Sequence, residues 1–263
     1  MDLGIRNRVA LVAGGSQGLG KATGLALVDE GVRVALCARR AGVLDAAAAE
    51  IGRSGEGEVL AIPCDVTRET EVTDLVRQVS EEWGPIEILV NNAGGPPTGL
   101  FQELSMTHWR DALELNLLST VNLCRAVVPN MRQQKWGRIV NITSIAAKQP
   151  APGLMLSNAA RAGVLGFAKT LSNELAPENI TVNSVCPGYT RTDRLVELAE
   201  AIAKRESRSV EEVYSRWEET IPMKRLGKPE ELAALITFLC SEPAGYITGC
   251  AIQVDGGFIK STF

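Results

Sequence analysis

The stretch Val9-Ala10-Leu11-Val12-Ala13-Gly14-Gly15-Ser16-Gln17-Gly18-Leu19-Gly20 runs from a short apolar segment straight into a glycine-rich turn. Val9 to Val12 reads as a buried strand, and the turn opens a helix. Glycines at this junction permit a tight turn and let backbone N–H groups approach a pyrophosphate. The helix N-terminus adds favourable partial charge for the same anion. The spacing is Gly14-x-x-x-Gly18-x-Gly20, with Ser16, Gln17 and Leu19 inside the turn. A glycine cluster alone is weak evidence. Its place between a first strand and a first helix selects the dinucleotide reading.

The rest of the chain repeats this rhythm. Apolar runs recur at Val32-Arg33-Val34-Ala35-Leu36, Val59-Leu60-Ala61-Ile62, Ile86-Glu87-Ile88-Leu89-Val90 and Arg138-Ile139-Val140-Asn141-Ile142. Ile180-Thr181-Val182-Asn183-Ser184-Val185 and Ala251-Ile252-Gln253-Val254 bring the strands to seven. Between them lie helical stripes. Val72, Leu75, Val76 and Val79 keep the spacing of one buried face, and Trp109, Ala112, Leu113 and Asn116 keep it with a polar residue at the end. Strand and helix in alternation predict an α/β fold, a parallel sheet with helices on both faces. Right-handed crossovers make it doubly wound. With no linker or low-complexity stretch, residues 1–263 are expected to form a single domain. The one composition shift is a charged helical piece at about 192–220, expected above the sheet.

Composition excludes several classes. The 263 residues are 45% hydrophobic and 22% charged, with a net charge of −4. That balance argues against nucleic acid or an anionic membrane surface as partner. No apolar run approaches a membrane span and the N-terminus lacks signal-peptide order, so the expected compartment is the cytoplasm. Cysteines at 37, 64, 124, 186, 240 and 250 form no Cys-x-x-Cys pair and are expected as buried, reduced thiols. His108 is the only histidine, which speaks against a zinc site or a Ser-His-Asp triad, and no metal is expected. Asn141-Ile142-Thr143 matches a glycosylation acceptor formally, but it falls in an expected buried strand.

Further motifs stand in order along the chain. Asn91-Asn92-Ala93-Gly94 follows the fourth strand, and Cys64-Asp65-Val66-Thr67 follows the third. Pro187-Gly188-Tyr189-Thr190-Arg191-Thr192 follows the sixth, and Gly227-Lys228-Pro229-Glu230-Glu231 and Val254-Asp255-Gly256-Gly257 lie near the end. Together with the glycine turn, these resemble the short-chain dehydrogenase/reductase family over essentially the whole chain. The resemblance implies a Rossmann sheet of order 3-2-1-4-5-6-7, assembled as a homotetramer or homodimer. It implies a nicotinamide cofactor held by Gly14, Ser16, Gln17, Gly18, Leu19 and Gly20. Asp65 and Val66 would face the adenine, Asn92, Ala93 and Gly94 would line the cofactor, and Pro187, Gly188 and Thr192 would hold the nicotinamide amide. It also makes the 192–220 piece a lid over substrate, whose apolar inner face suggests a hydrophobic or acyl-thioester substrate.

The second strand ends Leu36-Cys37-Ala38-Arg39-Arg40. A carboxylate here would accept from an adenosine ribose hydroxyl and repel a 2′-phosphate. Ala38 stands at the position matching that acid, and two arginines follow. Guanidinium groups suit a phosphate dianion, so Arg39 and Arg40 predict NADP(H) rather than NAD(H).

The chain departs from the family in its catalytic set. Asn116 matches the asparagine that props a water, and Ser144 matches the serine that bonds the substrate carbonyl. The family's Tyr-x-x-x-Lys is due thirteen residues after Ser144, and Ser157-Asn158-Ala159-Ala160-Arg161 occupies it. A serine hydroxyl is a far weaker acid than a phenol of pKa about 10, and shorter in reach. An arginine can still hydrogen-bond the nicotinamide ribose but passes on no proton at neutral pH. Lys148, Tyr189 or solvent are the candidate proton sources. The favoured function is an NADP(H)-dependent oxidoreductase reducing a carbonyl or enoyl group, a 3-oxoacyl thioester among the candidates. A nucleotide-binding sensor or structural protein without turnover is the other reading.

Overall fold

The computed structural model describes residues 1–262. Seven parallel strands form one sheet of order β3-β2-β1-β4-β5-β6-β7. They are β1 (Val9–Ala13), β2 (Arg33–Ala38), β3 (Val59–Pro63), β4 (Ile88–Asn91), β5 (Gly137–Ile142), β6 (Ile180–Pro187) and β7 (Ala251–Val254). The order is the expected one, and the strand centres are where the apolar runs put them. Leu11 pairs in register with Ala35 on one side and Leu89 on the other.

The helices are α1 (Gly18–Asp29), α2 (Ala41–Ser54), α3 (Glu69–Trp83), α4 (Met106–Leu113), α5 (Ser119–Gln134), α6 (Met155–Leu175), α7 (Asp193–Glu206), α8 (Val210–Thr220) and α9 (Pro229–Leu239). Side chains alternate across the strands and so build two cores. Val9, Leu11 and Ala13 face one way and meet α3 (Val72, Leu75, Val79) and α5 (Leu123, Val127). Ala10 and Val12 face the other and meet α1 (Leu27, Val28), α2 (Leu44, Ile51) and α9 (Leu232, Ile236). Buried on both faces, these strands read as continuous apolar runs.

A third cluster joins α7 and α8 through Leu195, Ala199, Val213, Trp217 and Ile221. Beneath the sheet, the Trp136 ring lies between two guanidiniums, Arg8 at 3.8 Å and the fully buried Arg138 at 4.4 Å. Its Nε1 donates to Glu242 at 2.8 Å.

Two expectations need correction here. Cys250 is exposed, while the other five cysteines are buried. The stripe through Trp109, Ala112, Leu113 and Asn116 does not stay on one face. After α4 the chain takes a π-helical turn at Glu114–Leu118, which slips the register by one residue. Leu113, at the end of α4, is exposed, while Asn116 within that turn is buried. Asn141 is buried too and accepts from Asn91 Nδ2 at 2.8 Å, so its glycosylation sequence is inaccessible.

Candidate active site at the carboxyl ends of the strands

β1 pairs with both β2 and β4, so the crossovers leaving it run in opposite directions and open a crevice at its carboxyl end. The glycine turn lines this crevice. Gly14 has φ +60° and Gly18 φ +55°, values that suit a residue without Cβ. A Cβ on Gly20 would lie 2.2 Å from the Gly14 carbonyl oxygen, so only glycine allows this closure. Helix α1 starts with no side chain capping its N–H groups and no acid in its first turn. Such an end is left open for an anion, and the cradle fits a dinucleotide pyrophosphate. Ser16 is part-buried in the turn and Leu19 packs on the second core.

Other candidates gather around the same crevice. Asn92 Nδ2 donates to the Gly14 carbonyl at 3.3 Å and ties β4 to the turn. Asp65 accepts from Thr67 through backbone N–H and hydroxyl, at 3.1 and 2.8 Å. Burial works to raise the Asp65 pKa, but those hydrogen bonds and the nearby Arg39 prevail and hold it lowered. Val66 packs on the first core. Arg39 and Arg40 are exposed at the end of β2, and Arg40 donates to Gln17 Oε1. Gln17 in turn donates to Asp193 at 2.9 Å, linking the phosphate turn to α7. Gly188 donates to the Val254 carbonyl at 2.9 Å, beside the buried Pro187. Thr192 caps α7 by accepting from the Leu195 N–H.

The catalytic candidates also meet. Arg161 lies part-buried on α6 and spends four of its five donors on the protein. Nε donates to Ser157 Oγ at 3.2 Å, Nη1 to the carbonyls of Ile142 (3.2 Å) and Thr143 (2.8 Å), and Nη2 to that of Ala93 at 3.4 Å. Desolvation, and secondarily Arg194, pulls its pKa down to about 10. Asn116 donates to the Gly94 carbonyl at 2.9 Å, while its Oδ1 is buried without a partner. That oxygen and Arg161 line one small cavity with Asn141 and Thr143. Ser144 Oγ accepts from Ala146 N–H at 3.1 Å.

A family profile described as "Enoyl-(Acyl carrier protein) reductase" matches residues 13–259. A 3-oxoacyl-[acyl-carrier-protein] reductase of Synechocystis is 40% identical over 96% of this chain and 97% of its own. The chain belongs to the short-chain dehydrogenase/reductase family. Among solved structures, this short-chain dehydrogenase/reductase resembles L-sorbose reductase of Gluconobacter frateurii, complexed with NADPH and L-sorbose. The two share a TM-score of 0.94 and 35% identity over 99% of this chain and 100% of that one. Actinorhodin polyketide ketoreductase with NADPH gives a TM-score of 0.93 and 35% identity, covering 97% and 98%.

Within this short-chain dehydrogenase/reductase, two candidate proton sources are engaged by the protein itself. Lys148 Nζ donates to the Ala251 carbonyl at 3.2 Å, at the sheet edge. Tyr189 stacks on Trp217 at 4.7 Å and meets Phe258 edge-on at 5.4 Å, so it packs the α7–α8 cluster. Arg191, Arg194, Arg205 and Arg208 pair with Glu218, Glu197 and Glu206 of the same segment. His108 caps its own helix, its Nδ1 accepting from Ser105 N–H at 3.2 Å. Arg194 also reaches across to the Pro96 carbonyl at 2.9 Å, 98 residues away, a contact for which the sequence carries no local signal.

Proposed function

We propose that this chain is an NADP(H)-dependent reductase acting on a carbonyl or enoyl group of a small apolar or acyl-thioester substrate, with a 3-oxoacyl thioester as the leading candidate. The glycine cradle carries the reading: a Cβ at Gly20 would strike the Gly14 carbonyl, and the α1 N-terminus faces the crevice uncapped. The names of the Synechocystis and actinorhodin relatives support the substrate class, and the NADPH complexes of two neighbours support the cofactor. Gly14, Ser16, Gln17, Gly18, Leu19 and Gly20 would hold the pyrophosphate. Arg39 and Arg40 would take the 2′-phosphate, and Asp65 and Val66 the adenine. Asn92, Ala93, Gly94, Pro187, Gly188 and Thr192 would position the nicotinamide.

When bound, NADPH supplies hydride to the substrate carbon. The protein's own work is placement and the handling of charge. Ser144 and Ser157 would hold the substrate oxygen. Arg161 would orient Ser157 and fasten the ends of β4 and β5. Helices α7 and α8 would form a lid from Thr192 to Thr220, closing an apolar face over substrate. We place the protein in the cytoplasm as a homotetramer or homodimer; no helix among the described residues is long and apolar enough to cross a membrane.

The test is NADPH oxidation by purified protein against a panel of 3-oxoacyl, enoyl and simple carbonyl compounds. Turnover with at least one member is expected. Failure across the panel with NADPH still bound would favour a nucleotide sensor.

A further inference from the structure

One chain of side-chain hydrogen bonds joins the end of β2, the phosphate turn and α7. Arg40 donates through Nη2 to Gln17 Oε1. Gln17 Nε2 donates in turn to Asp193 Oδ2 at 2.9 Å, across 176 residues. The two ends fix the amide between them. A guanidinium only donates and a carboxylate only accepts, so the oxygen of Gln17 must face Arg40 and its nitrogen must face Asp193. Cation, amide and anion in line polarise one another, and each bond strengthens the other. Among the described residues Arg40 pairs with no carboxylate, and no other side chain donates to Asp193.

The start of α7 also rests on the turn itself. A Cβ on Gly18 would lie 3.4 Å from Thr192 Cγ2, a van der Waals distance. Asp193 and Arg194, adjacent in the first turn of α7, hold two walls of the crevice. Asp193 holds the turn after β1, and Arg194 donates to the Pro96 carbonyl in the loop after β4 at 2.9 Å. Only the Asp193 hold runs through side chains assigned above to the cofactor, Gln17 and Arg40.

We infer that Gln17 couples the two ends of this chain: a nucleotide 2′-phosphate that takes Arg40 breaks the chain at Gln17 and releases Asp193, so that a 2′-phosphorylated nucleotide, and not its unphosphorylated counterpart, loosens the first turn of α7 over the crevice. The inference rests on the NADP(H) reading above and adds to it a response in the segment that covers substrate. A phosphate dianion is a much stronger acceptor for a guanidinium than a neutral amide oxygen. A ribose hydroxyl is not, and it leaves Arg40 on Gln17. Once Arg40 is drawn away, Gln17 Oε1 loses its donor and Nε2 is less polarised. The bond to Asp193 is then an exposed amide–carboxylate contact competing with water. Gln17 acts through Asp193 and is a positioning residue for α7. Linkage makes the coupling reciprocal: cutting the chain should return as affinity for the 2′-phosphate what breaking it had cost.

The test needs neither nicotinamide nor substrate. Adenosine 2′,5′-bisphosphate and adenosine 5′-monophosphate differ by the one phosphate. The full chain is saturated with each, occupancy being set by calorimetry, and backbone hydrogen exchange is followed by mass spectrometry in a peptide covering 190–200. In wild type the bisphosphate should speed exchange there about three- to fivefold over the monophosphate, the worth of one hydrogen bond. Gln17→Met keeps the length of the side chain without its donor and acceptor, and should exchange equally fast with both. Asp193→Ala should show no difference either, and should bind the bisphosphate about three- to fivefold more tightly than wild type does, with the monophosphate unchanged. A peptide covering 229–239, in α9, reports folding separately. Equal exchange in wild type with both nucleotides bound, or a difference that survives Gln17→Met, would overturn the inference. Bisphosphate binding no tighter than monophosphate binding in wild type would instead overturn the NADP(H) reading beneath it, and the inference with it.

Discussion

A lysine at position 161 would present one compact charge on a flexible stem, whereas arginine presents a planar fork. That geometry lets one side chain reach Ser157 and three carbonyls at or just beyond the ends of β4 and β5 at once. The substitution was legible in the sequence; its consequence was not, because which donors are spent depends on carbonyls from distant strands. With its pKa lowered to about 10, Arg161 gives up its proton earlier in the folded than in the unfolded state. Its destabilising contribution is therefore full below about 10 and fades as pH rises from there toward the ordinary arginine value. Across the assay range it stays charged. We expect kcat/KM for hydride transfer to be flat between about pH 6 and pH 9. A sigmoid with its midpoint in that window would reveal an ionising acid or base and contradict this site. Gly20 makes a second residue-scale case. Gly20→Ala should raise the NADPH Kd by about tenfold or more, since relieving the clash distorts the turn at a cost of about 1–3 kcal/mol. Unchanged binding by calorimetry would mean that the turn does not hold the cofactor.

The elements divide by how local their causes are. Strands β1 to β7 were readable because each is a β-branched or apolar run, buried throughout in β1, β4, β5 and β6 and part-buried in the edge strands β3 and β7. The charged segment from 192 to 220 was readable as two helices by its stripes, and α7 and α8 bear that out. The π turn at Glu114–Leu118 was not readable, because nothing in Glu-Leu-Asn-Leu-Leu distinguishes one register of hydrogen bonds from the next. It is tertiary contact that selects the register in which Asn116 reaches Gly94. The α7–α8 pair sits on the Tyr189–Trp217–Phe258 aromatic stack. Tyr189→Ala removes the middle ring and should loosen this segment. Substrate KM is expected to rise several-fold while NADPH affinity changes by less than about twofold. Equal losses in both would show that the segment serves the cofactor instead of the substrate.

Over the whole molecule, the proposed site and the main ion-pair network sit at opposite ends of one sheet. The carboxyl ends carry uncapped N–H groups, unpaired Asn116 Oδ1 and a cation without an acid. The amino ends carry an ion-pair and ring network in which Arg8, Trp136, Arg138, Glu87 and Glu242 interlock. Trp136→Ala removes a buried ring and leaves two guanidiniums facing a void. It should destabilise the cofactor-free protein by about 3–5 kcal/mol in urea unfolding; a loss under about 1 kcal/mol would make the stack ornamental. The claim on which everything else depends is recognition of a phosphorylated dinucleotide at the carboxyl ends. It is tested most directly by calorimetric titration of NADPH and NADH into wild-type protein and into the Arg39→Ala/Arg40→Ala double variant. Wild type should bind NADPH at least about tenfold more tightly than NADH, and the variant should lose that difference by weakening NADPH alone. No binding of either nucleotide, or equal weakening of both, would contradict the account.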